Sequence, residues 1–191
     1  MQRTFLTWCF SLAGLVSGII PCAAQDGLFS PPNDISLSIW TEGHPHRVGE
    51  KIVVNYRIVN NSNRALFVPR DWEAKCPARP HVWAWFEDAA GKHFIPGYAG
   101  DCSPGAFPKN VRDRMSKEAV LLTPKQHLDG SITLPTTLFG GLKPGTYRIE
   151  AALYGWREQD FSEAERSELA KMGAPFLRGD APASISIRLL P

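Results

Sequence analysis

The sequence predicts an all-β, two-sheet sandwich of about eight short strands, with one short helix in a late insertion. Three observations carry this. Apolar residues recur at a period of two in segment after segment, Gly-, Pro- and Asn-rich turns separate those segments, and a helical start signal occurs once. The regular alternation of helices with strands that marks an α/β fold is missing.

Taken in order, Ile35, Leu37 and Ile39 alternate with Ser36, Ser38 and Trp40, the pattern of a half-buried strand. Ile52, Val54, Tyr56 and Ile58 alternate in the same way with Val53, Asn55, Arg57 and Val59. Asn60-Asn61-Ser62-Asn63 follows as a turn, because Asn tolerates positive φ and bonds its own backbone. Residues 66–68 form a short strand ended by Pro69, and residues 81–87 form the next. The turn Ala89-Ala90-Gly91-Lys92 leads into an edge segment at 93–95. Residues 120–122 and 128–134 are expected to pair with each other. Residues 146–154 give the clearest strand, with Tyr147, Ile149, Ala151 and Leu153 on one side, and Ile185, Ile187 and Leu189 mark the last.

Two segments break this rhythm. Residues 96–118 are rich in Gly and Pro and contain Cys102. Residues 155–183 contain the helix, with Ser162 as N-cap, Glu165 three positions on to complete a capping box, and Gly173 as the stop. Irregular stretches of this length often carry function. The basic residues Lys109, Arg112, Arg114 and Lys117 give the first a diluted positive patch.

The N-terminus places Arg3 before the apolar run WCFSLAGLVSGII (residues 8–20), followed by Pro21-Cys22-Ala23-Ala24. A positive start, an apolar stretch too short to span a bilayer and small residues before the cut predict a signal peptide over 1–24. The domain itself is expected over 25–191, exported to the periplasm or the exterior of a bacterium. Pro21 directly before Cys22 fits a lipidation site poorly. Cleavage takes Cys9 and Cys22 away and leaves Cys76 and Cys102, which an oxidising compartment is expected to join. Such a bridge is worth about 3.5 kcal/mol. No later segment is long and apolar enough for a transmembrane helix.

The pattern Leu142-Lys143-Pro144-Gly145-Thr146-Tyr147-Arg148-Ile149 resembles the entry to a late strand of fibronectin type III and other immunoglobulin-like domains. The resemblance implies structural roles for Pro144, Gly145 and Tyr147, the last as a tyrosine corner bonding the backbone upstream. Val48-Gly49-Glu50-Lys51-Ile52 through Val59-Asn60-Asn61-Ser62 looks like the opening of many exported bacterial sandwich domains. With Leu122-Thr123-Pro124-Lys125-Gln126, the outline over residues 35–154 is similar to the BsuPI-type proteinase inhibitor domain. That resemblance implies an immunoglobulin-like sandwich and, as one activity, proteinase inhibition. The chain departs from the outline in its disulfide loop and late helical insertion, and an alternative function is an inhibitor that uses an exposed loop within 97–117.

Function is read by exclusion and then by patches. The chain holds 21 Lys and Arg against 19 Asp and Glu, without the concentrated basic face that nucleic acid demands. There is no G-x-S-x-G elbow, H-E-x-x-H, S-x-x-K or phosphate-cradling glycine loop, so neither an enzyme nor a cofactor is expected. His44 and His46, an H-x-H pair in a loop, are candidate metal ligands. The aromatic residues give the leading expectation. Val82, Ala84 and Phe86 make one face of their strand, which leaves Trp83 and Trp85 on the other, while Trp40 falls opposite Ile35, Leu37 and Ile39. If these are the outer faces, the indoles mark a binding surface for a protein, peptide or glycan partner. The alternative is that Trp83 and Trp85 are the core side or are covered by the long loop and the late helix. Asn60-Asn61-Ser62 is also formally a glycosylation sequon.

Overall fold

In the computed structural model the described residues are 27–43, 45–69, 82–95, 110–138 and 141–191. The expected signal peptide, the pair Cys76 and Cys102, and His44 lie outside them. The chain is an all-β sandwich of immunoglobulin-like type. One principal sheet is β2 (Ile35–Thr41), β4 (Lys51–Asn60) and β9 (His127–Pro135). The other runs β3 (His46–Arg47), β12 (Asp180–Leu190), β10 (Gly145–Tyr154), β6 (Val82–Glu87) and β7 (His93–Phe94). All pairings in the two sheets are antiparallel except that of β3 with β12.

Period-two alternation decides what each strand buries. Ile35, Leu37 and Ile39 of β2 and Ile52, Val54, Tyr56 and Ile58 of β4 meet Val82, Ala84 and Phe86 of β6 and Tyr147, Ile149, Ala151 and Leu153 of β10 in one core. Each fully buried aliphatic or Phe side chain there contributes about 1.5–3 kcal/mol. The turn before β10 is tied down by Tyr147, whose hydroxyl donates to Lys143 O and accepts from Lys143 N–H, both at 3.1 Å. Its ring meets Phe86 and Phe94 edge-on.

The His-Pro-His loop is where the chain changes sheets. Gly43, at φ +73°, ends the path along β2, and His46 then pairs with Leu189 in the opposite sheet. His46 is 8% exposed, so its imidazole belongs to the interior, and Arg47 takes the outward position.

A third sheet, β1 (Phe29–Ser30), β11 (Phe176–Leu177), β5 (Leu66–Pro69) and β8 (Ala119–Leu122), closes one end of the sandwich. It is apolar on both sides. Leu66, Val68, Leu122 and Leu177 face the main core. Phe67 and Phe176, stacked at 4.9 Å, face a second core with Leu28, Val111, Met115, Trp156, Phe161 and Leu169. Two helices cover that second core, α1 (Val111–Glu118) and α2 (Glu163–Ala170). Helix α2 has the expected capping box, Ser162 Oγ accepting from Glu165 N–H and Glu165 accepting from Ser162 N–H.

Helix α1 corrects the expectation of a single helix. It occupies part of the span 96–118, which the sequence predicts to be irregular, and Asn110 caps it by accepting from Asp113 N–H at 2.8 Å. The expected pairing of 120–122 with 128–134 is also corrected. β8 pairs with β5 and β9 with β4, because Lys125, at φ 66°, turns the chain from one sheet into the other. Asn60 locks this crossing. It is fully buried, and its side chain donates to Arg64 O and Leu122 O, both at 2.9 Å, while accepting from Ser62 N–H and Oγ–H. With its amide committed in this way, Asn60 is a structural residue and not a glycosylation acceptor.

Candidate functional site: the outer face of β6, β10 and β12

Because Val82, Ala84 and Phe86 are inside, Trp83, Trp85 and Glu87 stand on the outer side of the larger sheet, and all three are partly exposed. Register supplies their neighbours. Trp83 lies opposite Ala152, which lies opposite Pro182; Trp85 lies opposite Glu150; Glu87 lies opposite Arg148 on one side and His93 on the other. Ala152 is only 6% exposed between Trp83 and Pro182. Continuing the β6–β7 register brings Ile95, 62% exposed, beside Trp85. Tyr154 stands at the far end of the same face, its phenol pushed above the usual tyrosine range by burial and, next, by Asp180.

A charged border runs along this apolar strip. Arg148 binds Glu87 at 2.7 Å and also binds Glu150, while His93 Nε2 lies 3.1 Å from Glu87 Oε2. The His93 ring sits 6.2 Å from that of Trp85. Arg148 is shared by the two carboxylates, and the group presents donors and acceptors beside two indoles. Such groups can orient a ligand through hydrogen bonds and ion pairs. The Trp85 Nε1–H is buried and finds no acceptor among the described residues, whereas a buried indole N–H ordinarily has one.

Trp40 does not join this surface. It lies on the outer face of the other principal sheet, opposite Asn55 and 39% exposed. That face carries its own pair, Arg57 bound bidentately to Asp129 at 2.7 and 2.8 Å. The hydrogen bond from Arg57 holds the Asp129 carboxyl below the usual carboxylate range. The two aromatic sites are therefore back to back, with the main core between them.

The other expected sites fare differently. His46 is turned inward and His44 lies outside the described residues; among the described residues no three His, Cys, Asp or Glu side chains gather as a metal-binding group. Of the span 97–117, residues 111–117 belong to α1, whose Val111 and Met115 are buried in the second core. That helix is no extended inhibitory loop, and 97–109 lie outside the described residues. Among the described residues no helix is long and apolar enough to cross a membrane. The ion-paired border was missed in the sequence because Glu87, Arg148, Glu150 and His93 come from three strands. Their signal was the polar half of each alternation, Thr146-x-Arg148-x-Glu150 above all.

The fold is thus that of an immunoglobulin-like sandwich. No protein-family model and no curated protein matches the chain. Among solved structures it is similar to a β-glucosidase from Erythrobacter marinus (13% identity, TM-score 0.40), covering 82% of this chain but 15% of that enzyme. It is also similar to a CARDB domain from Pyrococcus furiosus (13% identity, TM-score 0.37, 82% and 88% of the two chains). A third likeness is to a PapD-like domain of human CEP192 (15% identity, TM-score 0.31, 95% and 94%). The chain spans about one sixth of the length of the glucosidases it matches.

Proposed function

We propose that this chain is an exported, non-enzymatic binding domain that takes a protein, peptide or glycan partner on the outer face of β6, β10 and β12. The observation that carries the proposal is the pair of adjacent, partly exposed indoles, Trp83 and Trp85, on the solvent side of a strand whose other side already fills the core. Two large aromatic rings at outward positions cost solubility unless something covers them. Flat rings bordered by Arg148, His93 and Glu150 match a partner that offers an apolar surface with hydrogen-bonding groups at its edge. The same proposal includes removal of residues 1–24 and a bridge between Cys76 and Cys102.

The test is fluorescence titration of purified protein against panels of soluble glycans and unstructured peptides. A saturable shift in indole emission with one class, lost in the Trp83→Ala, Trp85→Ala double variant and kept in Trp40→Ala, is expected. Blue-shifted emission that iodide does not quench, together with no response to either panel, would sink the idea.

A further inference from the structure

We infer that β9 is a docking edge through which two copies of this chain join, antiparallel, about a two-fold axis at Gly130. The ends of the β4–β9 ladder fix its parity. Asn60 N–H donates to Gln126 O at one end, and Thr136 N–H donates to Glu50 O at the other. Even-numbered residues of β9 therefore bond β4, and the backbone groups of His127, Asp129, Ser131 and Thr133 point away from the sheet. Among the described residues β9 is an edge in the strand order, and those four residues are all exposed.

Along most of its length this edge lacks the usual guards, which come only at its end with Pro135. From residue 127 to residue 134 it has no Pro and no Lys, the devices that keep edges apart. Its one carboxylate, Asp129, is already bound by Arg57. Along the same strand the core is not closed, since the inward-facing Leu128 and Ile132 are only partly buried. An extended strand laid here would bond the free backbone groups and finish covering those two side chains.

The sequence of β9 matches itself with the axis at Gly130. In that register Leu128 meets Ile132 of the partner subunit on the inner face, and two glycines meet at the centre. On the outer face Asp129 meets Ser131 of the partner subunit, and His127 meets Thr133 of the partner subunit. All four odd-numbered residues then exchange backbone hydrogen bonds, and no like charges stand opposite each other. An axis at Ser131 instead sets His127 against Pro135 of the partner subunit, which has no N–H to give. The Gly130 register keeps every bond, in the self-complementary form that a two-fold interface requires.

Light scattering on size-fractionated protein over a concentration series tests this. A mass of two chains is expected, falling to one chain for Ser131→Pro. That change removes an N–H that points outward, so the circular dichroism spectrum of the variant should stay native. Ser131→Asp, which faces Asp129 of the partner subunit twice across the axis, should weaken association about tenfold, whereas Ser131→Lys should keep it. A single-chain mass at the highest attainable concentration, or a dimer that Ser131→Pro leaves intact, overturns the inference.

Discussion

A Cβ placed on Gly130 would lie 2.2 Å from the hydroxyl oxygen of Tyr56, because the Tyr56 side chain occupies the space that a side chain at position 130 would take. The two residues are register partners in the β4–β9 ladder, and Tyr56 is buried. Gly130 is therefore required by packing and not by backbone conformation. Gly130→Ala forces the ring to move, at about 1–3 kcal/mol. Urea unfolding should show that loss, and the same loss on the Ser131→Pro background would place it within one chain. An unchanged midpoint would contradict the packing.

Asn60 stitches three segments with one side chain. Asn60→Ala takes the side-chain donor from Leu122 O and the acceptor from Ser62 N–H, while Arg64 O keeps Ser62 Oγ at 2.8 Å. A cost of about 2–3 kcal/mol is expected. Asn60→Asp, which cannot donate, should be no better. Thermal unfolding of the two variants checks this, and the hydroxyl-bearing Asn60→Ser should not rescue a reach it does not have.

The capping box of α2 sets a pH dependence. Backbone and then side-chain hydrogen bonds from Ser162 hold the Glu165 carboxyl below the usual carboxylate range. A carboxyl whose folded value is depressed stabilises the fold above its unfolded value, and the contribution is lost as pH falls through the folded one. Ser162→Ala should therefore lower the urea midpoint at neutral pH, by about 1 kcal/mol in stability for loss of the cap. The gap between variant and parent should narrow as the solution is acidified. A gap that widens in acid would reverse the assignment.

Expression with the full N-terminus in a bacterial host tests export and the bridge together. Intact mass should place the mature start at Gln25, and thiol titration of the denatured protein should find free cysteines only after reduction. A mature protein that keeps Met1 would contradict the cleavage, and one whose thiols titrate without reductant would contradict the bridge.

The strands with one wet face were legible. In β4 and β10 the alternation of Ile52, Val54, Tyr56 and Ile58, and of Tyr147, Ile149, Ala151 and Leu153, corresponds to the buried rows. Strand β5 was legible as a strand but not as a divider between two cores, since Leu66, Phe67 and Val68 are all apolar and show no alternation. Helix α1 escaped notice because only Val111 and Met115 anchor it among charged neighbours, and its cap, Asn110 with Asp113, lacks the Glu or Gln of a capping box. Local alternation set Trp83 and Trp85 on the face opposite Val82, Ala84 and Phe86, but not which of the two faces was the core. Nor did it separate Trp40 from them, because sheet membership is decided by pairings distant in sequence.

The neck of the late insertion has a consequence for how the molecule comes apart. Gly155 N–H donates to Gly179 O at 2.8 Å, and a Cβ at Gly155 would fall 2.4 Å from that same oxygen. Just beyond this closure, Phe176 and Leu177 send adjacent side chains into different cores. Cutting out residues 156–178 would thus strip β11 from both at once. The helical end is not a detachable module but shares its wall with the sandwich, and the two should melt in a single transition.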